Sequence, residues 1–175
     1  PEPKKTAERW RNYCINAGIG DLYLVAAQGL DFILPDECGF DAAVEFPPHT
    51  VSCPNITEKA PVWNPSFAGT VFDLPAFIHS KCYLKPTDYV LFKGVFPSWD
   101  NTARKPNQGT IFWGSSPALY KEWLSDVIGY TKNHRKKQEQ LVFINAWNEW
   151  GEGAHLEPDR KYGYAFLQAT AEAVN

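Results

Sequence analysis

Methionine is absent from the sequence, even at its first position, and the cysteines are few and far apart. Pro1 is therefore not expected to be a native translation start, which leaves open a removed signal peptide or an absent upstream segment. The four cysteines, Cys14, Cys38, Cys53 and Cys82, form no C-x-x-C pair. This spacing fits neither a zinc ribbon nor a dense disulfide scaffold, so we expect reduced, mostly buried thiols and a cytoplasmic protein.

Long apolar runs and an excess of positive charge are also missing. The longest clean apolar run, residues 22–27, is far shorter than the ~20 residues that span a bilayer. Lys and Arg number 17 against 20 Asp and Glu, and the net charge of −3 argues against a dedicated nucleic-acid-binding protein. The sequence has no Asp-x-Asp pair, phosphate-binding glycine-rich loop or dinucleotide fingerprint. We therefore expect no membrane span, no nucleic-acid partner and no cofactor.

Aromatic residues, in contrast, are abundant. The 175 residues include seven Trp, eight Tyr and 11 Phe, in a chain long enough for one domain with a buried core. Aromatic side chains at this density suit either a large core or a surface that stacks on flat ligands such as sugar rings.

Short apolar runs alternate with helical patterns along the chain. Strands are predicted over residues 21–27, 40–46, 89–96 and 141–147, and helices over residues 6–16, 74–84 and 162–174. A further helix begins with Ser116 as N-cap and Pro117 as its first residue. This alternation predicts an α/β fold with parallel strands.

The loops that follow the predicted strands are long. Residues 47–71, 97–116 and 148–161 form three such segments, whereas the connections from helix to strand are shorter. Long loops at the carboxyl ends of parallel strands are typical of a (β/α)8 barrel, whose active site lies there, but such a barrel takes ~250 residues. The sequence therefore predicts either a small open sheet or the second half of a barrel.

The densest group of reactive side chains follows the fourth predicted strand. Glu149 and Glu152 lie three positions apart, so a single turn brings both carboxylates to one side. Trp147 and Trp150 are expected to wall the pair and exclude water. Burial and a neighbouring carboxylate both favour a protonated carboxyl, so the spacing predicts one acid and one base, the pair used in glycoside cleavage.

Two other interpretations of this group stay open. The glutamates could cap a helix or pair with Arg160 and Lys161 on the surface, as most charged side chains are solvated. Glu149, Glu152 and His155 could instead bind a divalent metal ion, because carboxylate and imidazole suit several such ions.

Polar and aromatic residues also follow the two preceding strands. Trp99 offers a flat platform for a sugar, and Asp100, Asn101 and Arg104 offer hydrogen bonds to hydroxyl pairs. The alternative is a structural turn in which Asp100 pairs with Arg104.

Glu45 and His49 follow the second predicted strand and could reach the same mouth of the sheet. The alternative is a buried, satisfied Glu and a surface His.

Four segments, AWNEWGEGAHLEP, FPSWDNTARK, GFDAAVEFPPH and AGIGDLYLV, together resemble the C-terminal half of the WbsX family. That family is described as glycosyltransferases of surface-polysaccharide gene clusters and is similar to glycoside hydrolase family 99, the endo-acting α-mannosidases and α-mannanases. The resemblance implies that residues 1–175 are a single partial domain, the last four βα units of a (β/α)8 barrel.

The resemblance also implies functional roles. Glu149 would act as general base on the sugar's own 2-hydroxyl, and Glu152 as general acid and then base at the glycosidic oxygen. The hydrolases tend to have His at the position of Gly151, and their first four strands have no counterpart here. The expected substrate-binding residues are Trp99, Asp100, Asn101, Arg104, Trp147, Asn148, Trp150, His155, Glu157, Glu45 and His49.

Three functions are therefore predicted in order of preference. The first is an enzyme that cleaves or transfers α-linked glycosidic bonds in an oligo- or polysaccharide. The second is a nucleotide-sugar glycosyltransferase of surface polysaccharide, and the third is a sugar-binding protein without activity. Because half a barrel leaves apolar faces and open edges, self-association or pairing with a missing N-terminal half is also expected.

Overall fold

Strands and helices alternate in the computed structural model, which describes residues 2–29 and 34–175. The helices are α1 (Pro3–Asn16), α2 (Leu74–Ser80), α3 (Pro117–His134) and α4 (Ala165–Val174). The strands are β1 (Val25–Gln28), β2 (Ala42–Glu45), β3 (Thr70–Asp73), β4 (Leu91–Val95), β5 (Thr110–Trp113), β6 (Val142–Ile144), β7 (Asn148–Glu149) and β8 (Ala154–His155). In the described part of the chain, no helix combines the length and hydrophobicity that a membrane-spanning segment needs.

The main sheet consists of β1, β2, β4 and β6 in that order, and each neighbouring pair is parallel. The predicted parallel α/β sheet is therefore confirmed, with Val44, Phe92 and Ile144 on its strands. Tyr23, also expected on a strand, lies before β1 and is 52% exposed. Leu24, the residue before β1, donates its backbone N–H to the Asp41 carboxylate at 2.6 Å.

A second, two-stranded parallel sheet is formed by β3 and β5. The sequence interpretation missed it, because β5 lies inside residues 97–116 and β3 overlaps the end of residues 47–71, both predicted as loops. Four-residue strands are too short to show an alternation of their own. The long loops after β2 and β4 are thus partly ordered against each other.

Capping side chains fix the beginnings of α2 and α3. Asp73 accepts a hydrogen bond from the Ala76 N–H at 2.9 Å, and the Ser116 hydroxyl accepts one from the Leu119 N–H at 3.2 Å, as the sequence predicts for Ser116. The helix predicted over residues 74–84 ends early, at Ser80. Lys81 adopts a left-handed conformation with φ of 54°.

The side chain of Lys81 explains why the chain turns there. Its Nζ lies 2.6 Å from a Glu122 carboxylate oxygen and 2.5 Å from one of Asp126, both on α3. The two ion pairs fasten the end of α2 to α3 and offset the cost of the left-handed residue.

The core between the sheet and the helices is built largely of aromatic rings. The ring of Trp123 on α3 meets Phe96 and Phe77 edge to face, with centroids 5.1 and 5.5 Å apart. Phe96 also meets Phe112 edge to face at 5.1 Å. Much of the aromatic content therefore serves packing, which was one of the two interpretations of the composition.

The opposite face of the main sheet is apolar and incompletely covered. Phe92 and Phe143 are neighbours on it, with ring centroids 6.0 Å apart. Phe143 and Phe46 are each 44% exposed, whereas Phe92 is only 3% exposed. Side chains alternate along a strand, so this face is turned away from the Lys93 side chain and the helices.

All four cysteines are free thiols. Cys38 is buried, whereas Cys14, Cys53 and Cys82 are only partly so, and the prediction of mostly buried thiols was therefore wrong in extent. Burial raises the pKa of the Cys53 thiol to about 12.

Candidate active site

The loop after β6 folds back on itself as a small hairpin. Its strands β7 and β8 are antiparallel, with Asn148 opposite His155 and Glu149 opposite Ala154. Gly153 closes the hairpin with φ of +62°, and a Cβ there would lie 3.0 Å from backbone atoms of Asp100. Glycine is thus required both for the turn and for the close approach of the neighbouring loop.

The loop after β4 meets this hairpin at the carboxyl end of the main sheet, as the sequence predicts. The Asp100 N–H donates to the Glu152 carbonyl at 2.8 Å, and the Ser98 hydroxyl donates to the Gly153 carbonyl. Because parallel strands end at one edge, their following loops converge there, where ligands bind in parallel α/β folds.

Glu152 is held by an ion pair. An oxygen of its carboxylate lies 2.5 Å from Nη1 of Arg104, and its side chain is 22% exposed. A Cβ on Gly151 would lie 3.1 Å from Cδ of Arg104. The arginine therefore lies close beside position 151.

Glu149 is exposed, and its side chain forms no hydrogen bond or ion pair with any described residue. Trp147 and Trp150 are 53% and 49% exposed. The expectation that these two tryptophans bury both carboxylates was therefore wrong for the described residues. Glu149 instead presents an unpaired carboxylate at the surface of the hairpin.

Trp150 is committed to its own loop, which explains why it does not cover Glu149. Its ring stacks on His155 with centroids 3.8 Å apart, and its Nε1–H donates to the Glu157 carboxylate at 2.6 Å. The two predicted substrate-binding residues His155 and Glu157 thus orient Trp150.

Asp159, which the sequence analysis did not single out, supports this arrangement. Its carboxylate lies 3.1 Å from Nε2 of His155 and accepts the backbone N–H groups of Tyr162 and Lys161 at 2.5 and 2.7 Å. The hydrogen bond from Tyr162 N–H, followed by that from His155, lowers the pKa of Asp159. An Asp side chain that accepts the backbone N–H two residues further on forms an Asx-turn, and Asp is a typical residue for such turns. This preference is the sequence signal that could have revealed Asp159.

Trp99 is not the exposed sugar platform that the sequence predicts. It is 6% exposed and packs edge to face against Phe96 in the core. Asp100 and Asn101 shape the turn: Asp100 accepts from the Thr102 N–H at 3.0 Å, and Asn101 accepts from the Thr110 N–H at 2.7 Å. These bonds form the turn that the alternative interpretation predicts, except that Arg104 pairs with Glu152 and not with Asp100.

Glu45 is satisfied, as its alternative interpretation predicts, and largely buried, with its side chain 15% exposed. Its carboxylate lies 2.8 Å from Nζ of Lys93 and accepts the Gly94 N–H at 3.0 Å. Lys93 is itself 3% exposed. His49 is exposed and stacks on Phe46.

The metal interpretation finds no support in the described residues. Within residues 2–29 and 34–175, no group of three or more His, Cys, Asp or Glu side chains is arranged to hold an ion. His155 is engaged by Asp159 and Trp150, so it does not join Glu149 and Glu152 in a ligand set.

Known proteins resemble this chain in both sequence and fold. Two proteins of Xanthomonas campestris pv. campestris, strains B100 and ATCC 33913, both named "Uncharacterized protein WxcX", are 44% and 43% identical over 174 residues. These matches cover 99% of this chain, which spans about a quarter of the length of these curated relatives.

A solved structure described as a glycoside hydrolase-like protein superposes with a TM-score of 0.63 at 16% identity. The match covers 98% of this chain and 49% of that one, and it supports the fold alone. The parallel sheet is thus consistent with part of a barrel-like glycoside hydrolase fold.

The family comparison agrees with the motifs at the strand ends. The family model described as "Glycosyltransferase WbsX" matches residues 1–170, nearly the whole chain. The chain therefore belongs to the WbsX glycosyltransferase family.

Proposed function

We propose that this chain is part of an enzyme that cleaves or transfers α-linked glycosidic bonds in a polysaccharide, with Glu149 and Glu152 as its catalytic residues. The observation that carries the proposal is the position of the two carboxylates on one hairpin at the carboxyl end of a parallel sheet. Membership of a carbohydrate-active family supports the same class of substrate.

The two carboxylates differ in their surroundings. Glu149 is exposed and has no partner among the residues that the structure describes, so it is free to accept a proton from a sugar hydroxyl. Glu152 is fixed by Arg104 through one oxygen, which leaves the other oxygen to face the glycosidic oxygen. We carry over the base role of Glu149 and the acid role of Glu152 from the resemblance to the endo-α-mannosidases, because the surroundings of the two groups do not by themselves distinguish acid from base.

The chain is proposed to supply one partial domain, the last four βα units of a barrel. The parallel order of β1, β2, β4 and β6 and the incompletely covered apolar face both suit this arrangement. The relatives are about four times as long as this chain, so this chain corresponds to one part of those proteins.

A nucleotide-sugar glycosyltransferase is the second candidate, and the family's description favours it. The two candidates differ in the molecule that is consumed. An enzyme of the first kind releases or transfers sugar from α-mannan without a nucleotide, whereas one of the second kind converts a nucleotide sugar to a nucleoside phosphate.

Incubation of the whole encoded protein with α-mannan and, separately, with nucleotide sugars tests the proposal. We expect α-mannan to be consumed, and Glu149→Gln and Glu152→Gln each to lower the rate by about 10²–10⁴-fold. The two losses should not add in the double variant, because both groups serve one transition state.

Glu58→Gln, an exposed Glu in a separate loop, is the matched control and should retain the wild-type rate. Near-normal turnover by both catalytic-site variants would contradict the assignment of the pair. Consumption of a nucleotide sugar alone would favour the second candidate.

A further inference from the structure

A cleft of about 730 Å³ lies beside the hairpin that carries Glu152, and neither Glu149 nor Glu152 lines it. Its volume falls within the about 300–1,000 Å³ that is common for small-molecule sites. Gly153 and Asp100 form one side of the cleft. Since the Asp100 N–H donates to the Glu152 carbonyl at 2.8 Å, the cleft adjoins the hairpin of the candidate active site.

Two tryptophans stand at this cleft with much of their surface in water. Trp63, on the loop after β2, is 95% exposed, and Trp113, at the end of β5, is 51% exposed. Neither ring stacks on another aromatic ring of the described residues. An indole left open in this way is an unused apolar platform, and its flat face suits the apolar face of a sugar ring.

Polar groups with unused hydrogen-bonding capacity lie beside these rings. Asp100 uses Oδ1 for the N–H and hydroxyl of Thr102, whereas its Oδ2 accepts no hydrogen bond from the described residues. Nζ of Lys161 lies 4.6 Å from the centroid of the Tyr162 ring and forms no ion pair with a described carboxylate. A carboxylate that accepts and an ammonium that donates match neighbouring sugar hydroxyls, which do both.

We propose that this cleft is a second carbohydrate subsite, which binds sugar units of the polysaccharide beyond the bond on which Glu149 and Glu152 act. The proposal rests on the proposed function for the position of the reacting bond. The stacking surface and its polar groups are independent of that assignment. The β3–β5 sheet, which the sequence did not predict, would thus serve to build the outer wall of the subsite.

The test compares the Trp63→Ala variant of the whole encoded protein with the Trp10→Ala control, in a Glu152→Gln background that prevents turnover. Trp10 is 47% exposed on α1, outside the cleft. The probes are α-linked manno-oligosaccharides from disaccharide to octasaccharide, and Kd is measured by calorimetry for each length. Because Trp63 is almost wholly exposed, the substitution should not disturb the fold.

The subsite predicts a loss that depends on the length of the probe. Trp63→Ala should weaken binding of the longest oligosaccharides about tenfold or more, since buried Trp contacts commonly dominate binding. Binding of the disaccharide should be unchanged, and Trp10→Ala should have no effect at any length. Trp113→Ala should show the same dependence on length.

Length-dependent binding without any turnover of α-mannan by the wild-type protein would support the subsite and contradict the proposed function. Turnover of α-mannan with no effect of Trp63→Ala on binding would support the proposed function and contradict the subsite. Equal weakening at every length would indicate an indirect effect and overturn the proposal. Failure of every probe to bind, or binding of a protein partner at Trp63 instead, would also overturn it.

Discussion

The ion pair between Glu45 and the buried Lys93 provides a sharp test of the structural reasoning. The sequence placed Glu45 among the possible sugar contacts, whereas its carboxylate lies 2.8 Å from Nζ of a lysine that is 3% exposed. Glu45→Gln would leave the Lys93 ammonium buried without its counter-charge. We therefore expect this variant to lose stability and not only substrate affinity.

The magnitude follows from burial. Removal of one partner from a buried ion pair costs about 3–5 kcal/mol, and one kcal/mol lowers the Tm by about 2–4 °C in a domain of this size. The Tm should thus fall by about 6–20 °C. The Gly94 N–H also donates to the Glu45 carboxylate, and the Gln side chain would still offer it an acceptor oxygen. We therefore expect the fall in Tm to lie toward the lower end of this range.

Thermal and urea unfolding of the whole protein measure this loss. The double variant Glu45→Gln/Lys93→Met should lose less than the sum of the two single variants, because it removes the unpaired charge. Glu172→Gln, which breaks an exposed pair with Lys121, is the control and should change the Tm little. A fall of less than about 1 °C in Glu45→Gln, with weaker substrate binding, would refute the reasoning and favour the sugar-contact role.

Three further predictions concern the hairpin and the open face of the sheet. Gly153→Ala should lower turnover and Tm together, because its Cβ would lie 3.0 Å from the Asp100 backbone at a positive φ; an unchanged rate would contradict this. Asp159 has a lowered pKa in the folded chain. Its ionised carboxylate therefore stabilises the fold at pH values above its pKa in the unfolded chain, which is about 4. This stabilisation is lost as the pH falls through the lowered pKa of the folded chain. Fluorescence of Trp150 should report that loss, and Asp159→Asn should abolish it. A purified 1–175 fragment should self-associate in light scattering, whereas a monomer with a sharp melting transition would favour a self-sufficient domain.

The fold class could be predicted from the sequence because it depends on local patterns. Short apolar runs separated by helical periodicity and capping residues such as Ser116 gave the parallel α/β order and most element positions. The β3–β5 sheet could not be predicted in this way, because each of its four-residue strands is recognised as a strand only through its hydrogen-bonded pairing with the other. The early end of α2 likewise depends on two carboxylates of α3 that hold Lys81.

The sequence also predicted a candidate site after the last strand of the main sheet and the family to which the chain belongs. Glu149 and Glu152 were located because loops after parallel strands must converge at one edge, and the strand-end motifs carried the resemblance. The partner of each side chain was decided by tertiary structure alone. Trp99 and Glu45 have the chemistry of sugar contacts, yet the alternation of side chains and the packing of distant rings and charges place them in the interior. The exposure of Trp63 and the ion pair between Arg104 and Glu152 are likewise decided by the tertiary structure, because burial and ion pairing depend on residues far apart in the chain.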